Sequence, residues 1–406
     1  MLQDLFDIHR RVTTNFAVEF VRSAYDTINW NNRLIGIIGA RGTGKTTLVL
    51  QHYQKHYKQV EKCLYISADN PLVLKSGIYE IAAEYFKYYG DCLIIDEIHK
   101  QDNWSAELKA LYDAYPDKKF IILGSSILNI IQSKGDLSRR MLTHRLTGLS
   151  FREYLNIRYE TRFPIVSFSA LKTDHLSIAE EIICKRKTIL KDFEDYCRSG
   201  FYPFSINHTE DEYFQLLANV LDKVIYEDIP SLKLLHPSSS LKLKKLIAWL
   251  SAGTTPQISV SSLTNELDVV RDTLYDYLDL LERAQLIHII RPINNDVRSY
   301  KRSKVLFATP NIYFSIQQHL WSSSMEKGNL RESFFISQAS TCGRLHASAQ
   351  ADFIFEADGE TTEIEIGGPS KGNRQIQGAE NAIVLKDGIE TGFARQLPLY
   401  LAGFLH

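Results

Sequence analysis

The sequence is poor in the features that mark secreted, zinc-binding and membrane-spanning proteins. It has only five cysteines, and no two of them form a C-x-x-C pair. That scatter argues against a zinc site or a disulfide framework and is typical of a reducing cytosol. No apolar run is long enough to cross a bilayer. The first seven residues contain acids and lack an apolar core, unlike a signal peptide. We therefore expect a cytoplasmic protein without membrane association.

An excess of charge of either sign is also missing. The chain has 47 basic residues, Lys and Arg, and 48 acidic ones, which gives a formal net charge of -1. No overall positive field therefore indicates nucleic-acid binding, and any such contact requires a local basic patch. The hydrophobic content of 44% is that of a globular protein rather than a disordered one. The length of 406 residues allows roughly two to four domains.

One stretch, residues 39–46, matches the P-loop pattern G-x-x-x-x-G-K-[ST] at every fixed position. The apolar run before it, residues 34–38, predicts a buried strand, and residues 47–53 predict a helix. This strand–loop–helix context argues against a chance match in a glycine-containing turn. Glycines let successive N–H groups converge, and the helix N-terminus and Lys45 add positive charge. The sequence therefore predicts nucleotide binding by Gly39, Ala40, Arg41, Gly42, Thr43, Gly44, Lys45, Thr46 and Thr47.

A second motif, residues 92–97, consists of four apolar residues followed by two acids. It predicts a Walker B strand with Asp96 at its carboxyl end, where an open α/β sheet places its ligand. We expect Asp96 and the Thr46 hydroxyl to hold Mg²⁺, and Glu97 to polarise the attacking water. Lys45 and Glu97 are thus the first catalytic candidates. The alternative is a buried strand that ends in a solvated acidic turn.

The order of these motifs narrows the class of nucleotide-binding protein. A predicted strand, residues 63–67, lies between the P-loop and the acidic strand, and a glutamate follows the aspartate. This arrangement resembles the ATPase division that carries a catalytic glutamate, and no N-K-x-D motif favours GTP. A further strand, residues 120–126, ends in a polar tip where Ser125 or Ser126 is a candidate sensor of the γ-phosphate. A helix cap is the alternative role for these serines.

Residues 138–155 contain an arginine pair and the run Leu-Ser-Phe-Arg-Glu-Tyr-Leu. With the preceding motifs, this segment resembles a family of prokaryotic AAA-type ATPases whose core is followed by a C-terminal domain of unknown function. The resemblance implies that Arg140, or Arg139, contacts phosphate in its own chain or in a neighbour's, so an oligomer is possible. The alternative for each arginine is a solvated surface position.

The resemblance and the helical patterns together give a four-part organisation. We predict an AAA-type P-loop core at 1–155, a helical lid at 156–236, a winged helix-turn-helix at 237–305 and a restriction-endonuclease-like domain at 306–406. The fold class is thus α/β, with a parallel P-loop sheet of the AAA type. The predicted third helix of the winged module has two arginines against four acids, which disfavours major-groove binding. The predicted wing is basic and a candidate for gripping DNA phosphates, although a protein-binding or interdomain role is the alternative; its cations are Arg291, Arg298, Lys301, Arg302 and Lys304.

The last predicted domain resembles nucleases that hold Mg²⁺ with spaced acids and a lysine. Glu332, Asp352 and Glu365 match the acids, but Gly367 stands where the lysine is expected. Lys371 is a candidate substitute from a loop. We expect a degenerate nuclease fold that serves structure or binding.

The sequence therefore predicts a magnesium-dependent ATP hydrolase whose nucleotide state switches its C-terminal modules. One alternative is a nucleotide-gated switch that binds DNA or a protein partner with little turnover. A less favoured alternative is an ATP-regulated nuclease.

Overall fold

The computed structural model describes residues 1–14, 16, 19–124, 137, 139–232, 237–293, 300, 302–320, 325–372, 378–379 and 381–406. The chain folds into two compact units, Met1–Gly148 and Leu149–His406. This division does not test the four predicted domains, whose boundaries stay predictions.

The first unit alternates strands and helices. Its elements are α1 (Leu2–Thr14), α2 (Ala24–Thr27), β1 (Leu34–Ile38), α3 (Lys45–His56), β2 (Cys63–Ser67), α4 (Pro71–Ser76), α5 (Ile78–Tyr88), β3 (Cys92–Asp96), a 3-10 turn (Ile98–Lys100), α6 (Trp104–Ala114), β4 (Lys119–Gly124) and β5 (Leu142–Arg145).

The five strands of this unit form one parallel sheet in the order β2-β3-β4-β1-β5. Every residue of β1 and β3 is buried, because a parallel sheet is covered by helices on both faces. Alternate residues face two separate cores: Leu34 and Ile38 lie in one, Ile35 and Ile37 in the other. Strand β4 lies between β1 and β3, so the predicted α/β fold with a parallel P-loop sheet is confirmed.

The second unit begins with helices and ends with a sheet. Its elements are α7 (Phe151–Arg158), α8 (Phe168–Lys185), α9 (Ile189–Ser199), α10 (Glu210–Lys223), α11 (Ile229–Leu232), α12 (Pro237–Ala252), α13 (Val260–Leu267), α14 (Arg271–Arg283), β6 (Ile287–Ile290), β7 (Lys304–Phe307), α15 (Pro310–Leu320), α16 (Lys327–Ala339), β8 (Arg344–Ala347), β9 (Phe353–Ala357), β10 (Glu360–Gly367), β11 (Ala382–Lys386) and β12 (Gln396–Pro398).

Two hydrophobic cores stabilise the second unit. The first joins α7, α8, α9 and α16 to the sheet β12-β11-β10-β9-β8. In this sheet β8, β9 and β10 are antiparallel neighbours, whereas β10, β11 and β12 run parallel. The second core is built mainly from α10, α12–α15 and the β6–β7 pair. Helices α8 and α9, within the predicted lid, therefore share their core with the C-terminal sheet.

Helices α12, α13 and α14 are followed by the antiparallel pair β6–β7. These are the elements that a winged helix requires, although its predicted function remains a prediction. Helix α14 buries an apolar stripe that includes Leu274, Tyr277 and Leu281. Tyr277 is therefore a core residue.

The Leu-Ser-Phe-Arg-Glu-Tyr-Leu run begins helix α7. Ser150 and Glu153 form a capping box, in which each side chain accepts a hydrogen bond from the other residue's backbone N–H. Arg152 donates to the carbonyls of Phe163 and His406 at 3.2 and 2.9 Å. This signature therefore fixes a helix start and joins distant segments of the second unit.

None of the helices in the described ranges is long and apolar enough to cross a membrane.

Candidate nucleotide-binding site

The P-loop joins β1 to α3 and requires glycine at three positions. A Cβ atom at Gly39 would collide with the backbone carbonyl of Leu146. Gly42 and Gly44 adopt positive φ angles of 78° and 89°, in the left-handed region that favours glycine. Helix α3 begins at Lys45, so its free N–H groups and positive dipole end face the loop. The predicted strand–loop–helix arrangement is present.

Arg22 fastens this loop from outside the motif. Its buried guanidinium donates to the carbonyls of Thr43 at 3.2 Å, Thr147 at 3.1 Å and Gly148 at 2.7 Å. One planar cation thereby joins the P-loop to the segment that follows β5. Sequence reasoning missed Arg22, because a single arginine far from the motif carries no local signal of this role.

The Lys45 ammonium lies inside the loop. Its side chain is only 7% exposed, and its Nζ donates to the carbonyls of Gly39 at 3.0 Å and Ala40 at 2.8 Å. Thr43 also donates to the Ala40 carbonyl, at 2.9 Å. A full positive charge is thus held among the backbone groups that form a phosphate cradle.

Asp96 and Thr46 meet as their motifs predicted. The Thr46 hydroxyl donates to Asp96 Oδ2 at 2.6 Å, and the Tyr65 hydroxyl donates to the same oxygen at 2.9 Å. The other carboxylate oxygen accepts the Glu97 backbone N–H at 2.8 Å. Asp96 is 5% exposed, and burial raises the pKa of its carboxyl above the usual range. Tyr65, on the neighbouring strand β2, was not foreseen.

These oxygens suit a magnesium ion. Mg²⁺ prefers hydroxyl, carboxylate and phosphate oxygens, and usually takes only one or two ligands from the protein. Thr46 and Asp96 offer one hydroxyl and one carboxylate beside the phosphate cradle. Among the described residues, the hydrogen-bond partners of the Asp96 carboxylate are two hydroxyls and an amide N–H, and no ion pair with a lysine or arginine cancels its negative charge. The residues therefore fit the predicted metal.

Glu97 follows β3 and is held by two side chains. One carboxylate oxygen lies 3.7 Å from Arg41 Nη1, and the other lies 3.4 Å from His99 Nε2. Glu97 itself has a φ of 48°, in the left-handed region that is costly for a residue with a Cβ. The geometry thus brings the predicted water-activating residue to an arginine of the P-loop. His99, which lies in the 3-10 turn after β3, was not foreseen.

Of the other predicted catalytic residues, only the arginines lie within the described part of the chain. Arg140 forms a two-pronged pair with Asp113, with Nε–Oδ1 and Nη2–Oδ2 distances of 3.1 Å. Arg139 is exposed. The predicted roles of both arginines in phosphate contact remain predictions. Ser125 and Ser126 lie outside the described residues.

One of the five cations of the predicted basic wing, Lys304, is not available at the surface. Lys304 is buried, and its Nζ lies 2.8 Å from both Glu332 and Asp352. The expectation that Lys304 grips phosphates is therefore wrong, because its charge is already paired inside the second unit. Arg291 lies 3.3 Å from Glu282. Arg298 and Lys301 lie outside the described residues.

The predicted nuclease-like residues do come together. Glu332 lies on α16, Asp352 directly precedes β9, and Glu365 lies on β10. Lys371 forms an ion pair with Glu365. A Cβ at Gly367 would lie 2.7 Å from Lys371 Cβ, so the Lys371 stem occupies the space of the missing side chain.

Comparisons with known proteins agree with this geometry. Residues 31–155 match the model of an AAA domain, and residues 190–315 match a domain of unknown function, DUF8612. The uncharacterized protein MJ1637 of Methanocaldococcus jannaschii is 30% identical over 296 residues, which are 69% of this chain and 61% of that relative. This chain therefore spans about three fifths of the length of the curated relative.

Solved structures with low overall similarity were also found. The Walker-type ATPase PABY2304 of Pyrococcus abyssi has a TM-score of 0.39 and 11% identity, and the match covers 78% of this chain and 97% of that one. AMPPCP-bound DnaA from Aquifex aeolicus has a TM-score of 0.27 and 14% identity, with 69% and 88% covered.

The P-loop, the parallel sheet and the matched AAA model define a nucleotide-binding P-loop domain. Residues 31–155 match an AAA domain and residues 190–315 match a domain of unknown function, which is the combination that the family resemblance implied. The family resemblance of the Ser150 helix and its preceding motifs is confirmed.

Proposed function

We propose that the protein is a magnesium-dependent ATP hydrolase whose nucleotide state switches its C-terminal modules. The observation that carries this proposal is the 2.6 Å hydrogen bond from Thr46 to Asp96, with Glu97 as the next residue. It joins the ends of two strands, β1 through the P-loop and β3 directly. A hydroxyl, a carboxylate and a second carboxylate are thus gathered beside one phosphate cradle.

Each residue has a separate task in this reaction. The loop amides and Lys45 bind the phosphates, and Lys45 offsets the charge that develops on them. Thr46 and Asp96 hold Mg²⁺, which neutralises phosphate charge and orients the terminal phosphoryl group. Glu97 accepts a hydrogen bond from the attacking water and orients it in line with the leaving oxygen. Arg140 is a further proposed phosphate contact, in its own chain or in a neighbour's within an oligomer.

A nucleotide-gated switch with little turnover is the second candidate. It is favoured by the contact of Glu97 with the Arg41 guanidinium, because a carboxylate beside a cation is a weaker base. In this account ATP binding alone moves the C-terminal modules, and hydrolysis only resets them.

Turnover of Glu97→Gln relative to the wild type separates the two candidates. Glutamine keeps the size of the side chain but cannot accept the proton of the attacking water. We expect Glu97→Gln to reduce ATP turnover by about 100-fold or more while ATP binding is retained. Equal turnover in both proteins, or no turnover in the wild type with ATP still bound, would favour the switch.

The partner that responds to this switch is proposed to be a protein rather than DNA. The burial of Lys304 removes one cation from the predicted wing, and α14 carries mainly acids. We expect ATP turnover to be the same with and without duplex DNA. A several-fold rise on addition of DNA would instead restore the basic wing as a phosphate-binding surface.

A further inference from the structure

The second unit contains a centre of five charged side chains, of which Lys304, Glu332 and Glu365 are buried. Glu332, Asp352 and Glu365 supply three carboxylates, and Lys304 and Lys371 supply two ammonium groups. Lys304 Nζ lies 2.8 Å from Glu332 Oε2 and 2.8 Å from Asp352 Oδ1. Lys371 pairs with Glu365 at the other end of the centre. Each carboxylate therefore has an ammonium partner from this chain.

Three members of the centre are buried, whereas Asp352 and Lys371 are partly exposed. Glu365 is 2% exposed, Lys304 6% and Glu332 8%. Burial raises the pKa of Glu332 to about 7, and Lys304 opposes that rise. For Lys304, burial acts to lower the pKa, but Glu332 and Asp352 together raise it above the ordinary value. Buried charges of this kind persist only where opposite charges and hydrogen bonds compensate them.

The second oxygen of Asp352 is also satisfied. It accepts the backbone N–H of Ile366 at 2.8 Å, which ties the start of β9 to β10. The Lys304 ammonium also lies 4.6 Å from the centre of the Phe353 ring, a cation–π contact. The charge of Lys304 is thus enclosed by two carboxylates and an aromatic face.

Lys371 reaches Glu365 because position 367 is glycine. Any larger side chain at that position would meet the Lys371 stem. The glycine that replaces the expected lysine therefore makes room for a lysine from the following loop. The glycine at position 367 and the pairing of Lys371 with Glu365 therefore depend on each other.

The restriction-endonuclease-like fold expected from sequence implies a divalent metal between Asp352 and Glu365. The residues present do not fit that ion. Asp352 already pairs with the Lys304 ammonium, and Glu365 already pairs with the Lys371 ammonium, so both carboxylates expected to hold the metal have a cation of the chain as their partner. Within the described part of the chain, no group of three His, Cys, Asp or Glu side chains is spaced to hold a metal.

We propose that Lys304 and Lys371 are built-in cations that take the place of a divalent metal in the C-terminal sheet. The centre is an internal ion-pair cluster rather than a nuclease site. Because Lys304 lies on β7, the cluster also fastens the β6–β7 hairpin to α16 and to the start of β9. This inference does not depend on ATP hydrolysis.

The test is Mn²⁺ binding by the full chain without nucleotide, measured by electron paramagnetic resonance. The wild type is expected to bind no Mn²⁺ at this centre. Lys304→Met keeps an apolar stem but removes the charge, so Glu332 and Asp352 become free to bind Mn²⁺. We expect affinity at least about tenfold above the wild type, and its loss in the double variant Lys304→Met with Asp352→Asn.

A matched control is Lys386→Met. Lys386 is also a buried lysine of the second unit, on β11, but its Nζ donates to the neutral side chain of Gln396 at 3.2 Å. Its loss frees no carboxylate, so no Mn²⁺ site should appear. Thermal unfolding verifies that each variant is folded, and Lys371→Met repeats the test at Glu365 if Lys304→Met does not fold.

Three results would overturn the proposal. One is Mn²⁺ binding by the wild type that Asp352→Asn abolishes. Another is magnesium-dependent nucleic-acid cleavage by the wild type that Asp352→Asn abolishes, which would make Lys371 the substitute lysine of a nuclease. The third is a folded Lys304→Met protein that gains no Mn²⁺ binding.

Discussion

Each unit has acidic side chains at a sheet, but the hydrogen-bond and ion-pair partners of these carboxylates differ between the two units. In the first unit, Asp96 accepts hydrogen bonds from the hydroxyls of Thr46 and Tyr65 and from one amide. In the second unit, Asp352 and Glu332 share the Lys304 ammonium. One carboxylate keeps its negative charge for an incoming cation, whereas the others are already neutralised.

This difference shows that an acidic motif in a sequence does not by itself tell whether its carboxylates bind a metal ion. A carboxylate binds Mg²⁺ only where no other cation has taken its place, and that depends on residues far away in the sequence. Lys45 lies about as far from Asp96 in the sequence as Lys304 does from Asp352, but it donates to loop carbonyls. Lys304 is separated from Asp352 by 48 residues and still pairs with it.

The largest effect is expected for Lys45→Ala. Its ammonium is the full positive charge of the phosphate cradle, so ATP affinity or turnover should fall by about 100-fold or more. Titration with a fluorescent ATP analogue and a turnover assay measure both. Lys55→Ala, at an exposed position on the same helix, is the control and should behave as the wild type. Equal losses of ATP affinity or turnover in both variants would instead indicate that substitution in α3 destabilises the helix.

A paired comparison of two aspartates tests the contrast between the units directly. Asp96→Asn should lower magnesium-dependent ATP turnover by about 100-fold, because the amide is a poor ligand for Mg²⁺. Asp352→Asn should leave turnover within about twofold, since its charge serves the second unit. Turnover is measured over a range of Mg²⁺ concentrations. A rise in the Mg²⁺ requirement of Asp352→Asn would remove the distinction drawn between the two sites.

Loss of a cation from the ion-pair cluster is expected to lower the free energy of unfolding of the second unit. Lys304→Met leaves Glu332 and Asp352 buried without their cation, and breaking such a buried pair costs about 3–5 kcal/mol of unfolding free energy. Lys386→Met removes one hydrogen bond to a neutral partner and should cost about 1 kcal/mol. Hydrogen exchange of β10 amides reports on the second unit alone. Similar losses in the two variants would show that the cluster is no more than ordinary packing.

The smallest expected effects concern pH. The stability of the two units should change in opposite directions as pH falls. Burial lowers the pKa of His9 to about 4, and its Nδ1 accepts the Tyr65 N–H at 2.9 Å. The unfolded chain therefore binds more protons between pH 6.5 and 4, so the first unit loses about 2 kcal/mol as pH falls through this window. His9→Gln should abolish the part of this loss that His9 causes, while the part from His52, whose pKa burial lowers to about 3, should remain.

Glu332 gives the second unit a pH dependence of stability opposite to that of His9. Its pKa is raised to about 7 from 4.5, so the folded chain binds the extra proton. The second unit is therefore stabilised below pH 4.5 and loses that contribution as pH rises toward 7. Hydrogen exchange of β2 and β10 amides across pH 4–8, in the wild type, His9→Gln and Glu332→Gln, measures both slopes. Parallel slopes in the two units would contradict this account.

The sequence predicted the first unit best because its strands are buried on both faces. Such strands read as unbroken apolar runs, and β1 and β2 begin and end where those runs do. The Thr46–Asp96 contact was predictable as well, since both residues follow strands of one parallel sheet. Arg22, Tyr65 and His99 were not, because each acts through a contact that no local motif encodes.

Lys304 is the instructive error in the second unit. Counting cations around residues 291–304 predicts a basic surface, but the acids that neutralise Lys304 come from α16 and from the residue before β9. Local charge indicates a surface only if the side chain is exposed. By contrast, the acids Glu332, Asp352 and Glu365 were correctly grouped, because their resemblance to a known fold carries long-range information.

The most direct test of the account is the number of Mn²⁺ ions bound per chain, with and without a non-hydrolysable ATP analogue. The account predicts one ion with the analogue and none without it. Asp96→Asn should remove that ion, and Asp352→Asn should leave it in place. Mn²⁺ bound without nucleotide, and lost in Asp352→Asn, would contradict the account.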